Sequence, residues 1–536
     1  MTMRRIHRNA DTGLLFGLAA VAMVAGAPSA ALACGGCFSP VLPPIIGQPK
    51  PSQAVLQDAE RVVFMRDEAT MTSRVWVEVR YTGLAQDFGW VLPLPKQPTI
   101  TVGTTIGLDR LDSGTAARFQ LKNVGSENCR NPYMGCEPVD NRDFQDSASC
   151  FGSADAASDT STSGGGGPPQ VEVLDQGQTG PYDYVVIKGS DGKALQSWLE
   201  TRGYKTPVAA TPIIQSHADK GDVFVAIKLQ SGKGVNLIRP IILEMHDAEP
   251  CVPLRLTSIA AAEELSIVVT LAGSGRAIPK NMLHVAINPA RINWLGNGNN
   301  YAQLVAAAID EAGGRAFVTD SAMKGSDAAS GMHSDAQLDT AWANNSSNLH
   351  DLAVGLYKAA ANEQTAGPWL QADAVDVFVE KAGIVEPIFK AFGISDGPSA
   401  LAQLWVCGAI WSGSIFAPTG TGTCILAGDS FLNPSKTFEA KDAKLVPVDG
   451  KALANGLEDT IAKPLRALRD AFVGAKTATR MVMRISPLEM DRDPIFAFNA
   501  TLPAVDRDHV AKRWDVCSSG WLPVTNVRIA IPGVGS

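Results

Sequence analysis

The chain has 536 residues, 45% of them hydrophobic and 19% charged, with a formal net charge of −8. That apolar share excludes disorder for the bulk of the chain, and the length is enough for several domains with real cores. An acidic balance without a basic stripe argues against nucleic-acid partners, because phosphate neutralisation needs clustered Lys and Arg.

In chain order, Arg4, Arg5 and Arg8 precede an apolar run at 14–27, and Ala31-Leu32-Ala33 supplies the small-x-small pattern that a leader peptidase reads. Residues 1–33 are expected to be a signal peptide cut after Ala33, leaving Cys34 first. The run is short for the roughly 20 residues of a membrane span. A Cys at that place also allows lipidation, although Ala31 and Leu32 depart from the lipoprotein pattern. The mature protein is expected in the periplasm or outside the cell, with a lipid-anchored outer-surface form as the alternative. No later segment reads as a transmembrane anchor, because the apolar stretch 404–426 is interrupted by Gly408, Gly413 and Pro418.

Residues 34–51 read as a Cys- and Pro-rich tether. Val75, Val77, Val79 and Tyr81 alternate with Trp76, Glu78 and Arg80, the period of a strand with two faces. Residues 61–65 and 87–94 read as its neighbours, and the short 82–86 connection predicts antiparallel pairing. The stretch 123–169 holds Cys129, Cys136 and Cys150 and ends in four glycines and two prolines, so it reads as a flexible, disulfide-pinned insertion. Strand patterns resume at 184–187, 222–229, 241–245 and 265–271, with a short helix at 194–202. An amphipathic helix follows at 301–312, where Tyr301, Leu304, Val305, Ala308 and Ile309 share one stripe.

The polar stretch 321–347 predicts a linker, and beyond it the period turns helical. Leu349, Leu352, Ala353 and Leu356 form one stripe; Val375, Phe378 and Val379 form a second. Leu457, Ile461, Leu465, Leu468 and Phe472 form a third, with Pro464 expected to kink or split it. Short strands are expected at 481–485, 496–499 and 527–531.

All nine cysteines lie after the leader, and in an oxidising compartment they are expected to form disulfides, with at least one left over. Spacing does not determine the connectivity; Cys407–Cys424, or a pair within Cys129, Cys136 and Cys150, are local candidates. Cys34 and Cys37 form a CxxC. No strand precedes it once the leader is cut, so it lacks the helix-start setting of a thioredoxin motif. Two thiolates and the new α-amine could hold Cu or Zn, as against a disulfide tie to the body of the protein.

Glu244, His246, Asp247, Glu249 and Cys251 crowd into one short segment. On a strand Glu244 and His246 share a face, which suits a metal or acid–base pair, but Pro250 and Pro253 favour a polar turn. Glu489, Asp491 and Asp493 form a second acidic group without a calcium-type loop. Ser190-x-x-Lys193 and Ser321-x-x-Lys324 match a nucleophile pattern at the frequency of chance, and the elements that should accompany it are missing. Catalysis therefore finds no positive support, and no resident cofactor is expected.

Several segments together resemble a known bacterial family, DUF2330 (domain of unknown function 2330). They are Ala33-Cys34-Gly35-Gly36, Glu60-Arg61-Val62-Val63-Phe64, Val79-Arg80-Tyr81 leading to Asp87-Phe88-Gly89-Trp90-Val91-Leu92-Pro93, the run from Gly221 to Leu229, Pro253-Leu254-Arg255-Leu256-Thr257-Ser258, and the helix at 301–312 with Ala316-Phe317-Val318-Thr319. The likeness spans roughly 33–320 and implies an exported protein of unknown activity, so it assigns no site residues. The Cys37 spacing and the 123–169 insertion depart from the family pattern.

The reading is an α+β protein: a largely antiparallel β domain over 52–320, a linker at 321–347, and a helix-rich domain over 348–536. Its expected role is an exported, soluble, disulfide-containing binding or scaffold protein with an envelope or extracellular ligand or protein as partner. The alternatives are a Cu, Zn or thiol-redox protein using Cys34 and Cys37, and then an unrecognised hydrolase.

Overall fold

The computed structural model describes residues 56–82, 89–127, 171–204, 206–231, 238–259, 261–360, 368–370, 374, 377–378, 397–413, 423–426, 436–516 and 526–531. The expected leader, the tether with Cys34 and Cys37, and the cysteines of the 123–169 insertion lie outside the described residues.

The chain opens with β1 (Leu56–Asp67), β2 (Thr72–Thr82), β3 (Gly89–Leu94) and β4 (Thr99–Val102), then α1 (Thr105–Thr115) and β5 (Arg118–Glu127). Next come β6 (Glu172–Thr179), β7 (Tyr182–Lys188), α2 (Gly192–Thr201), α3 (Thr211–Asp219), β8 (Val223–Leu229), β9 (Ile241–His246) and β10 (Ala261–Gly273). β11 (Arg276–Pro279), β12 (Leu283–Val285), α4 (Tyr301–Glu311), β13 (Ala316–Met323) and α5 (Gly325–Ala329) follow. The later part holds α6 (Leu349–Ala360), α7 (Gly397–Trp411), β14 (Thr423–Leu426), β15 (Lys436–Glu439), α8 (Gly450–Leu457) and α9 (Lys463–Gly474). It closes with β16 (Thr477–Ile485), β17 (Phe496–Asn499), β18 (Asp508–Val516) and β19 (Asn526–Ala530).

Two sheets organise these elements. The larger has eight strands in the order β12-β13-β16-β10-β1-β2-β9-β4, and the smaller has four in the order β3-β8-β7-β6. Pairing is mostly antiparallel; within these two sheets β1–β10 and β12–β13 are parallel. The α+β class therefore stands. The pairing expected for β2 with β3 does not: β1 and β2 pair antiparallel, but β3 crosses to the other sheet and pairs with β8. A short connection permits a hairpin without requiring one. β3 is buried on both faces, which only an inner layer supplies.

Side-chain alternation decides what each sheet packs against. Val62, Phe64, Val75, Val77, Leu243 and Met245 point from the large sheet toward Leu92, Leu94, Val223, Val225 and Ile227 of the small one, forming a shared core. The intervening Phe224 and Ala226 turn outward onto Leu195, Leu199 and Ile214 of α2 and α3. Val63 and Trp76 turn outward onto Leu108, Leu111, Leu468 and Phe472 of α1 and α9. The result is four layers: helices, small sheet, large sheet, helices. A side chain such as Val225, fully buried, contributes about 1.5–3 kcal/mol by leaving water.

The outer helical layer carries a buried ionic chain. Arg61 pairs with Glu78 beside it and reaches Asp109 of α1 at 2.6 Å; Arg480 bonds Asp112 at 3.2 Å and also pairs with Asp320. Tyr301 donates its hydroxyl to Asp320 at 2.6 Å. Arginines from β1 and β16 are thus held against carboxylates of one helix, which sets the register of α1 on the sheet.

The expected split into an N-terminal β domain and a C-terminal helical domain is not confirmed. Residues 338–465 do build a separate helical core around Leu352, Leu356, Trp369, Leu453 and Ile461. The chain then returns as β16, pairing antiparallel with both β10 and β13 inside the large sheet, and β18 lies parallel to β5. The polar stretch 321–347 completes β13, forms α5 and buries Ala328 and Leu338. Pro464 is taken up without a break, because α8 runs into α9 through a π turn at Glu458–Ala462 that widens the backbone ahead of the proline ring. The candidate disulfide Cys407–Cys424 is present and ties α7 to β14. Among the described residues no helix is long and apolar enough to cross a membrane.

Candidate functional site

A cavity of about 580 Å³ lies between the two sheets. Its walls are the inward side chains of four strands: Val62 and Phe64 of β1, Val75 and Val77 of β2, Leu92 and Leu94 of β3, Leu243 and Met245 of β9. Its rim is built from two turns distant in sequence. Cys251 and Ile495 form a lone antiparallel bridge, Val252 N–H donates to the Pro494 carbonyl at 3.2 Å, and Phe496 N–H donates to the Pro250 carbonyl at 3.0 Å. Asp493 is locked between them: its carboxylate accepts the Arg255 N–H at 3.0 Å and its carbonyl accepts the Asn281 amide at 2.8 Å.

Besides the rim carboxylates, Lys220, Arg255, Asn281 and Arg492, three further places contribute polar groups to this cavity. His217 stands at the end of α3, which stops where Gly221 adopts φ +79° and turns the chain back into β8. That turn brings Asp222 under the imidazole, with His217 Nδ1 and Asp222 Oδ2 2.8 Å apart. The other ring nitrogen, Nε2, is buried without a hydrogen-bond partner among the described residues and stands 3.6 Å from Asp493 Oδ2. The second place is Cys251, an unpaired thiol that burial, with Asp493 next in effect, pushes up to about 12. At neutral pH it is a thiol and a poor nucleophile.

The third place is β1 itself. Glu60 projects into the cavity from an apolar wall and is 2% exposed. A bulge between Gln57 and Ala59 shifts the register against β2, so Gln57 and Glu60 fall on the same face although they are three residues apart. Gln57 Nε2 donates to Glu60 Oε2 at 2.9 Å. Burial outweighs that bond and pushes the Glu60 carboxyl up to about 7.

The residues singled out in the sequence divide across this geometry. Glu244 and His246 do share a strand face, but it is the face away from the cavity, where Glu244 pairs with Arg74 at 2.5 Å and His246 is exposed. Asp247 and Glu249 line the rim; Glu249 also pairs with Lys280 at 3.2 Å, and Asp247 lies 3.7 Å from Arg66. The second acidic group contributes Asp491 and Asp493 to the same rim, while Glu489 caps the backbone of Ser486. Ser321 is buried with its hydroxyl on the Thr115 carbonyl, and neither Ser-x-x-Lys pair borders the cavity. Among the described residues no group of three His, Cys, Asp or Glu side chains is placed to hold a metal. Cys34 and Cys37 lie outside the described residues.

Sequence reasoning missed Glu60, His217 and Asp222. Glu60 sits in a run whose alternation is broken by the bulge, and a bulge leaves no mark in spacing. His217 and Asp222 are five apart across a helix end, a separation with no regular face. The one available signal was Glu60 itself, a lone carboxylate beside Val62, Val63 and Phe64.

No curated protein and no solved structure matches the chain. The family described as "Uncharacterized protein conserved in bacteria (DUF2330)" matches over residues 30–338, a span that takes in β1 to β13 and most of the cavity wall but not β16 or the 491–495 side of the rim. The chain belongs to that bacterial family.

Proposed function

We propose that this chain is an exported, non-catalytic binding protein whose inter-sheet cavity takes one small, largely apolar molecule. The cavity carries the reading: it is preformed, its volume falls within the roughly 300–1,000 Å³ of small-molecule sites, and a few polar groups converge on apolar walls. Export rests on the leader pattern before Cys34, and the Cys407–Cys424 disulfide suits an oxidising compartment.

The test uses the full chain purified from a host that exports it. A neutral solvatochromic dye is titrated into wild type and into Val77→Trp, which fills the cavity from β2. One dye bound per chain, lost in Val77→Trp with the sheet circular dichroism retained, is the expected result. Dye binding that Val77→Trp leaves unchanged would overturn the assignment of the cavity.

A further inference from the structure

Resting on that reading, we infer that the ligand is a cationic amphiphile, a primary alkyl- or arylalkylamine whose ammonium sits on Glu60 and whose apolar body lies along Val62, Phe64, Val75, Val77 and Leu92. Four observations point the same way. Glu60 is 2% exposed in a wall of hydrocarbon, and among the described residues it takes part in no ion pair. Among the described residues its one hydrogen bond comes from Gln57, and no cation among them neutralises its charge. Gln57 is itself fully buried, and its Oε1 has no donor among the described residues. His217 Nε2, on the same cavity and 3.6 Å from Asp493 Oδ2, is likewise buried without a hydrogen-bond partner among the described residues.

Lys220, Arg255 and Arg492 also line the cavity, but none of them pairs with Glu60, and the lining carboxylates outnumber them six to three. A buried carboxylate without a cation, next to a buried carbonyl without a donor, is locally short of positive charge and of N–H groups. A primary ammonium supplies both: one unit of charge for Glu60 and three donors, of which a carboxylate uses one or two. An alcohol offers one donor and no charge. A fatty acid brings a second carboxylate into the same apolar wall and is repelled. Removing the ammonium's hydration costs free energy, and the apolar chain buried beside it offsets that cost.

The experiment is calorimetric titration of the full chain at pH 7.5 with dodecylamine, 1-dodecanol and dodecanoic acid, the ionic pair below their micelle concentrations and the alcohol below its solubility limit. Dodecylamine is expected to bind about tenfold or more tighter than dodecanol, and dodecanoic acid weakest. In Glu60→Gln the amine loses about tenfold or more while dodecanol binds as before. Amine binding to wild type also releases protons, read as a dependence of the heat on the buffer's ionisation enthalpy, and Glu60→Gln abolishes that release. Dodecanol or dodecanoic acid binding as tightly as the amine, or an amine affinity untouched by Glu60→Gln, overturns this inference and leaves the cavity reading standing. If Glu60→Gln does not fold, the wild-type amine-to-alcohol ratio decides alone. If none of the three binds while the neutral dye does, the amine inference falls; if the dye also fails to bind, the cavity reading falls with it.

Discussion

Replacing Glu60 by Gln tests the energetics of the cavity without any ligand. The carboxyl ordinarily titrates at 4.5 and in the folded chain is pushed up to about 7 by burial. Between those values the unfolded chain gives up a proton that the folded chain keeps, so stability is present at low pH and lost as pH rises through 7. Integrated over the two titrations, Glu60 costs the wild type about 1 kcal/mol at pH 5 and about 3 kcal/mol at pH 8, a loss of roughly 2–3 kcal/mol across the window. Gln has the same shape, and its carbonyl can still accept the 2.9 Å bond from Gln57. Urea unfolding followed by tryptophan fluorescence at pH 5 and pH 8, on both proteins, isolates this one group because every other titration cancels in the difference. Glu60→Gln should be the more stable protein at pH 8 by about 3 kcal/mol and nearly level with wild type at pH 5. A difference of the same size at both pH values would refute the assignment of an unpaired, buried carboxyl.

Cys407→Ser opens the bridge across a separation of 17 residues and should cost about 3 kcal/mol in the same unfolding assay, provided the wild type is kept oxidised. Arg61→Leu leaves Glu78, itself 5% exposed, with only the more distant Arg80 at 3.9 Å among the described residues, and should cost about 3 kcal/mol; the double variant Arg61→Leu/Glu78→Leu should recover at least half of that, since the cost is a poorly compensated buried charge. Cys251, pushed up to about 12, should react with iodoacetamide at pH 8 at least about a hundredfold slower in the folded chain than in urea, read by peptide mass. The intact mass of the exported protein should start at Cys34. A copper or zinc adduct that vanishes in Cys34→Ser would instead favour the metal-binding alternative.

What the amino-acid order determined by itself was local. Period-2 runs at 75–81, 222–229 and 241–245 became β2, β8 and β9, and the stripe from Tyr301 became α4, because a strand or helix buries one face whatever its partner. The family likeness around Glu60-Arg61-Val62-Val63-Phe64 was legible in local motifs, whereas Cys407–Cys424 was one of several local pairs that spacing left open and the fold decided. Which strand meets which was not. β3 left its sequence neighbour for β8, and β16 returned from beyond the helical core to sit between β10 and β13; both choices are paid in sheet hydrogen bonds that carry no residue code. The site depended on those choices. Two acidic turns, each reading as a solvated bend, pair through Cys251 and Ile495 to form one rim. A bulge at 57–59 turns Gln57 and Glu60 to the same face, and only the second sheet closing over Glu60 gives it an apolar cavity. Alternation is a property of neighbours in the chain, whereas burial of a lone carboxylate is a property of whatever tertiary packing lays across it.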